Sequence, residues 1–441
     1  MARRFLTPAL AAALAPFLVT VPVSAQPVAE ASLTATECQI GAYRGPDGDF
    51  VALARSGGNP NAGLRYLFRD GRRGATGDVD APVRCQGDTV RIGDAAGTKA
   101  AGTWARIAFR ETPTTFDSAG SRLSGMLIEP PGSDPRRPLV VMVHGSERSS
   151  PIGGIYGYAM AAQGLAVFVY DKRGTGASEG EYTQNFELLA NDAAAALKQA
   201  RAMTPDRTGR TGFFGGSQGG WVAPLAATLT PADFVAVGFG LVASPIEEDR
   251  EQMVAEVRAA GLGQEAEALV NRLSQATARL LLTNFSEGYD EIDSARALLA
   301  NQPWVARIHG EHSGAMLRMS NDELRRIGRA RFDNLELIWD YDAVSALRRL
   351  RTPLLWVLAG EDQEAPIETT RSALLGLRAE GRPVDLYLFP GTDHGMIEFT
   401  AGPDGSRRYT RITDGYLKLL GDWMKSEARG AYGRAEHLTA Q

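Results

Sequence analysis

The sequence predicts an α/β protein: a doubly wound, mostly parallel sheet with a helical cap insertion, preceded by a small β-rich domain. Unbroken apolar runs such as Leu139-Val140-Val141-Met142-Val143 have the pattern of strands buried on both faces. Stretches of helical spacing, residues 185–203 among them, separate most of these runs and imply right-handed crossovers between parallel neighbours. Each run ends in glycine and polar residues, at the edge where such sheets gather their ligands.

The elements follow in chain order. Arg3 and Arg4 precede an apolar run over residues 5–23, and Val23-Ser24-Ala25 suits cleavage before Gln26, so residues 1–25 are expected to be an export signal. Pro8, Pro16 and Pro22 interrupt that run, which argues against a stable membrane anchor. The destination is then periplasmic or extracellular. In an oxidising compartment Cys38 and Cys85 are expected to form a disulfide, two separate buried thiols being the alternative. Residues 26–111 carry short strand candidates at 50–54, 64–68, 89–92 and 104–109, divided by Gly, Asp and Asn. This accessory domain holds no nucleophile beside a base, no metal cluster and no phosphate loop.

Residues 112–427 form the second domain. A hairpin-like segment and a Pro-rich turn at 130–138 lead into strands at 139–143, 165–170, 211–214, 234–239, 354–358 and 384–389. Between the fourth and fifth of these, residues 245–351 are expected to form a helical cap, with amphipathic stretches at 250–260, 265–282 and 322–333. A polar tail, residues 428–441, is expected to fray and to carry His437 with it. Forty-seven Lys and Arg against 52 Asp and Glu, with no basic block, argue against a nucleic-acid partner. With 44% hydrophobic and 22% charged residues, the chain is not a disordered one.

The strand ends carry the chemistry. Gly-x-Ser-x-Gly occurs at Gly215-Gly216-Ser217-Gln218-Gly219 and again at Gly176-Ala177-Ser178-Glu179-Gly180. A nucleophile elbow needs a buried strand directly before the serine and a helix directly after it. Ser217 meets both requirements, whereas Ser178 lies in a charged loop.

With Val143-His144-Gly145-Ser146, the run from Tyr170 through Ser178 and the Ser217 elbow in view, residues 112–427 resemble an α/β-hydrolase. The similarity is to bacterial members of the serine aminopeptidase and dienelactone hydrolase branches. In that family an Arg-Gly-x-Gly-x-Ser run after the second strand leaves substrate alone, which also demotes Ser178.

A serine hydroxyl needs an imidazole to take its proton and a carboxylate to fix the imidazole's tautomer. Of five histidines, His144 precedes the serine, His309 and His312 lie in the insertion, and His437 lies in the tail. His394, in Gly391-Thr392-Asp393-His394-Gly395 at a strand end, is the candidate base. The resemblance implies Asp362 as the acid, although only Glu361 separates it from Gly360 where the family has two residues, so Glu361 and Glu364 are kept as reserves. It also implies an oxyanion hole from the backbone N–H of Gln218 and of Ser146, with Glu147 as the alternative second donor. Asp393 is expected to be a loop or capping residue, and Trp304, Met316, Trp339 and Tyr341 are candidate cavity-lining residues of the cap.

These residues imply a secreted serine hydrolase that forms an acyl-enzyme on a small-molecule ester, with no cofactor and no metal. A peptidase taking short peptides and a thioesterase share the same machinery. For the peptidase, Glu247, Glu248 and Asp249 are the residues that would hold a substrate amine, a solvated helix start being the plainer reading of them. A non-catalytic binding module on the same scaffold is the remaining alternative.

Overall fold

The computed structural model describes residues 38–56, 63–93, 101–333, 336–403 and 406–439, so the expected export signal lies outside the described residues. The first strands are β1 (Gly41–Arg44), β2 (Phe50–Arg55), β3 (Leu64–Phe68), β4 (Arg73–Ala75), β5 (Val83–Gln86), β6 (Thr89–Ile92) and β7 (Gly102–Arg106). They form an antiparallel sheet in the order β4-β3-β2-β1-β7-β6-β5. β1, β4 and β5 escape a reading by sequence because they are short and interrupted by glycine or arginine. The strand expected to reach Phe109 stops at Arg106, and the Ile107 amide turns to the Ala42 carbonyl at 2.8 Å.

Alternation along these strands gives the sheet two apolar faces. Tyr43, Phe68, Val90 and Trp104 pack on one, with the Phe68 and Trp104 rings edge to face at 5.9 Å. Cys38 and Cys85 are joined by a disulfide across this core, 47 positions apart. Closing a loop of that length stabilises the fold by about 4 kcal/mol in the chain-entropy account. The other face, with Ala42, Phe50, Ala52 and Leu67, shares a core with the helix that follows the next strands.

The chain continues through the hairpin β8 (Arg110–Ser118) and β9 (Ser121–Glu129), then β10 (Leu139–Val143), α1 (Ile155–Ala162), β11 (Ala166–Tyr170), α2 (Phe186–Ala202), β12 (Thr211–Gly216), α3 (Gly219–Leu229) and β13 (Phe234–Gly238). The insertion holds α4 (Pro245–Ala259), α5 (Gln264–Leu282), α6 (Tyr289–Leu299), α7 (Ser313–Arg318), α8 (Asn321–Glu323) with a π-helical continuation over Leu324–Asp333, and α9 (Ala343–Arg349). Then come β14 (Leu354–Ala359), α10 (Glu368–Ala379), β15 (Val384–Phe389), the small strands β16 (Thr392–Asp393), β17 (Ile397–Ala401) and β18 (Arg407–Ile412), α11 (Tyr416–Met424) and β19 (Glu436–His437).

The main sheet runs β19-β15-β14-β13-β12-β10-β11-β9-β8. The strands from β15 to β11 in that order are parallel; at the two edges the pairings β11 with β9, β9 with β8 and β15 with β19 are antiparallel. β10 to β15 are the unbroken apolar runs of the sequence because helices cover both faces: α2, α3 and α9 on one, α1 and α11 on the other. β8, polar and containing Pro113, is tolerated because it is an edge strand.

The tail corrects an expectation. Glu436 and His437 extend the sheet beside β15, and the His437 ring stacks on Tyr387 at 4.4 Å. Tyr432 is buried under α11, so this segment is anchored despite its polar sequence.

Candidate active site

The bend after β12 sets the first functional side chain. Ser217 has φ 53°, a left-handed conformation that is strained for any residue but glycine and asparagine-like types. The surrounding glycines make this bend possible: a Cβ on Gly215 would stand 2.4 Å from the Gly219 carbonyl oxygen, and one on Gly220 would stand 2.9 Å from the Gly240 Cα. The Ser217 amide donates to the Gly238 carbonyl at 3.2 Å, and Gln218 caps α3, whose N-terminus adds a positive potential beside the hydroxyl.

The loops after β14 and β15 supply the other two groups. Asp393 fastens them together: its carboxylate accepts from the amides of His394 (2.8 Å) and Gln363 (2.9 Å) and from the Tyr409 hydroxyl (2.7 Å), and it pairs with Arg407. These bonds to its charged form outweigh burial and hold the Asp393 carboxyl below the usual range. His394 Nδ1 then lies 3.0 Å from Asp362 Oδ2, and His394 Nε2 lies 3.1 Å from Ser217 Oγ. Asp362 Oδ1 also accepts from the amides of Ala365 and Glu364, which leaves this buried carboxylate little freedom to turn.

Of the reserve acids, Glu361 is exposed and lines a different cavity, whereas Glu364 Oε1 stands 3.6 Å from His394 Nε2, on the hydroxyl side of the ring. Burial disfavours a charged His394. The Asp362 hydrogen bond and charge, with Glu364 and Asp393, outweigh that effect and hold its pKa above the ordinary 6.5. An imidazole spanning a hydroxyl and a buried carboxylate is the arrangement that takes a proton from the hydroxyl as it attacks.

Ser178 has a different employment. Its hydroxyl donates to the Asp171 carbonyl at 2.7 Å and accepts from the Ser124 amide at 2.9 Å, tying the loop after β11 to β9. The same loop holds two groups that the sequence reading passed over. Arg173 forms a buried two-point pair with Asp192 of α2, at 2.8 and 2.6 Å, which fixes the loop on the core. Lys172 is buried and donates to the Gly145 carbonyl at 2.5 Å and to Gln218 Oε1 at 3.3 Å. Burial lowers its pKa to about 8, against the pull of Glu147. Tyr182, stacked under Arg148, donates its hydroxyl to the Ser146 carbonyl at 2.5 Å. His144 is buried edge-on to Tyr170, and burial with the nearby Lys172 charge lowers its pKa to about 3.

On the cap side, a cavity of about 220 Å³ is lined by Ser217, Gln218, Ser146, Glu248, Glu311 and Trp339, among others. Of the four cap side chains expected to line it, Trp339 does. Trp304 and Met316 pack inside the cap with Leu273 and Ile292, and the Tyr341 ring meets Phe186 at 5.2 Å in the main core. Their apolar surface is taken up by helix packing first.

The acidic start of α4 also divides its labour. Glu247 completes a capping box with Ser244. Asp249, expected in solvent, is buried and accepts from the amides of His312 and Ser313. Glu248 faces the cavity. Burial and the charges of Glu311, Glu364, Asp249 and Asp362 push its pKa well above the ordinary carboxylate value, and Glu311 is raised in the same way. Among the described residues no cluster of three His, Cys, Asp or Glu side chains is arranged to hold a metal ion.

Residues 134–398 match the family model described as serine aminopeptidase, S33. Among solved structures, the chain is similar to an esterase from Pyrococcus furiosus, at 15% identity over 65% of this chain and 83% of that one, with a TM-score of 0.39. It is similar also to the acylaminoacyl peptidase of Pyrococcus horikoshii, at 14% identity over 81% and 46% of the two chains and a TM-score of 0.41. Carboxyl esterase 2 of the fungus Tuber melanosporum is similar at 15% identity over 73% and 87%, with a TM-score of 0.40. No curated protein matches the chain.

Proposed function

The chain belongs to the serine aminopeptidase S33 family of α/β-hydrolases, and from that premise we propose that it is an exported serine hydrolase cleaving carboxylic esters of small molecules through an acyl-enzyme. Ser217 attacks the acyl carbon, His394 takes its proton and returns it to the leaving alcohol, and Asp362 holds the imidazole in the working tautomer. Water then repeats the sequence on the acyl-enzyme. The observation that carries this reading is the continuous set of contacts from Ser217 Oγ through His394 to Asp362, 3.1 and 3.0 Å long. Export rests on the basic and apolar pattern of residues 1–25 and fits the Cys38–Cys85 disulfide. Residues 26–111 are the accessory domain in this account, residues 112–427 the catalytic one and residues 245–351 its cap.

The tetrahedral oxyanion would be met by the amides of Gln218 and Ser146. A trans peptide sends its C=O and the next N–H in opposite directions. With the Gly145 carbonyl held by Lys172, the Ser146 amide is fixed facing away from that lysine. Lys172 is therefore a positioning residue. Lys172→Met is expected to lower kcat about tenfold to a hundredfold, less than the 10²–10³ of a lost hole donor, while KM moves little. Equal loss in kcat for Lys172→Arg and Lys172→Met, accompanied by a matching rise in KM, would mean that the residue serves packing instead.

A second reading has its own observation. Glu248 and Glu311 line the cavity on the cap side and Glu364 lies 3.6 Å from His394, three carboxyls against the single cation Arg331 among the described lining residues, so an amine there would relieve their mutual repulsion. That favours amine-bearing acyl substrates, and with them a peptidase. Matched p-nitrophenyl esters and p-nitroanilides, each with and without an α-amine, separate the two. The ester reading expects the plain ester to turn over fastest and Glu311→Gln to leave its KM in place. Rapid cleavage of the aminoacyl anilide, with a KM that Glu311→Gln raises severalfold, would favour the peptidase.

A further inference from the structure

Ser217 borders two cavities of opposite character. Besides the acid-lined one under the cap, an apolar cavity of about 260 Å³ opens on its other side, walled by Met142, Pro151, Tyr156, Phe214 and Phe239. Phe239 is fixed there by its backbone: at φ 43° it is a strained aromatic residue between two glycines, and its ring meets the His394 imidazole edge to face at 5.1 Å. A Cβ on Gly216 would strike that ring at 2.7 Å, so the elbow leaves room for it.

The same Tyr156 lines a third cavity, of about 350 Å³, which β3 and β4 of the N-terminal sheet wall with Tyr66, Leu67 and the charged Arg65 and Arg73, and which Asp78, Ile155 and Ile412 complete. The Gly71 carbonyl accepts from the Ile412 amide at 3.0 Å, so that sheet is tied to the catalytic body at this point. One side chain of α1 thus stands between a cavity that touches the candidate nucleophile and a cavity that touches the accessory sheet.

We propose that the apolar cavity beside Ser217 receives the acyl group of the substrate, that Tyr156 is its floor and sets the acyl chain length, and that the N-terminal sheet closes the space behind that floor. The proposal rests on the ester-hydrolase reading above. At about 260 Å³ the cavity falls just below the roughly 300–1,000 Å³ of ordinary ligand sites, so it suits a short acyl chain. The alcohol then departs on the cap side, past Glu364. Removal of the Tyr156 ring joins the two cavities and lets a longer chain run toward β3 and β4, each methylene newly buried against Leu67, Ile155 and Ile412 being worth up to about fourfold.

The test is the ratio of kcat/KM for p-nitrophenyl octanoate to that for p-nitrophenyl acetate, which does not depend on how much of a preparation is active. Wild type is expected to favour the short ester, and Tyr156→Ala to raise the ratio at least about tenfold. Met142→Phe, which fills the cavity from β10, is expected to lower it, and serves where Tyr156→Ala fails to fold. Ser217-dependent turnover with a ratio unchanged in both variants would overturn the proposal and leave the ester reading standing. No turnover of either ester by folded wild type would overturn both.

Discussion

Ser217→Ala is expected to lose about 10⁶ in kcat on a short p-nitrophenyl ester, because no other group can form the acyl-enzyme; a residual rate of about 10³ over water persists from the oxyanion hole and binding. The fold should survive, since the side chain contributes only its Oγ contact with His394 while the strained bend is held by the Ser217 amide and by the glycines around it. Alanine at φ 53° is no more strained than serine. Far-ultraviolet circular dichroism and the unfolding midpoint of the variant should therefore match wild type while turnover vanishes. Ser178→Ala makes the contrast: it removes a loop brace between β9 and the segment after β11, and is expected to cost stability with turnover largely kept.

Asp362→Asn is expected to lower kcat about 10⁴-fold. The asparagine amide would donate to Nδ1, leaving the proton on Nε2, where it faces Ser217 and cannot be exchanged for the serine's own. A pH profile separates this from unfolding. Because burial is outweighed by the Asp362 bond and by Glu364 and Asp393, His394 keeps its proton above pH 6.5, so the acid limb of kcat/KM in wild type should rise at a pH above that value. Removing the Asp362 charge should move the limb to lower pH. The stability linked to the same titration has the opposite sense to activity: protonated His394 stabilises the fold fully below its unfolded pKa, and this contribution is lost as pH rises through the folded one. An acid limb that stays in place in Asp362→Asn would remove Asp362 from the account.

Much of this architecture was legible because parallel strands buried on both faces have no polar positions to spare, so chemistry-bearing residues must cluster where the runs stop. That logic pointed to Ser217 and His394 at two strand ends, whereas Asp362 was chosen over Glu361 and Glu364 only through the resemblance, whose serine aminopeptidase branch matches the family that the chain belongs to. Gly360 and Asp362, one residue closer than the family pattern, still bring the carboxylate to Nδ1 because the Gly360 amide already turns to the Phe389 carbonyl.

Groups that act through space rather than through local pattern were not legible. Lys172 and Tyr182 matter for the carbonyls they hold, on a loop nearly thirty residues or more away in sequence, and no local pattern marks either of them. Trp304 and Met316 were open to either role because a helix stripe does not say whether its partner is another helix or a cavity. β19 was missed because two polar residues carry no strand signal, and the edge of β15 supplies the pairing.

The central claim is that Ser217 becomes covalently acylated. The most direct measurement is mass spectrometry of proteolysed wild type after incubation with a fluorophosphonate probe. The account predicts a single adduct on the peptide containing Ser217, absent in Ser217→Ala and in protein unfolded beforehand. Folded protein that carries no adduct on Ser217, or that carries it on Ser178 instead, would contradict it.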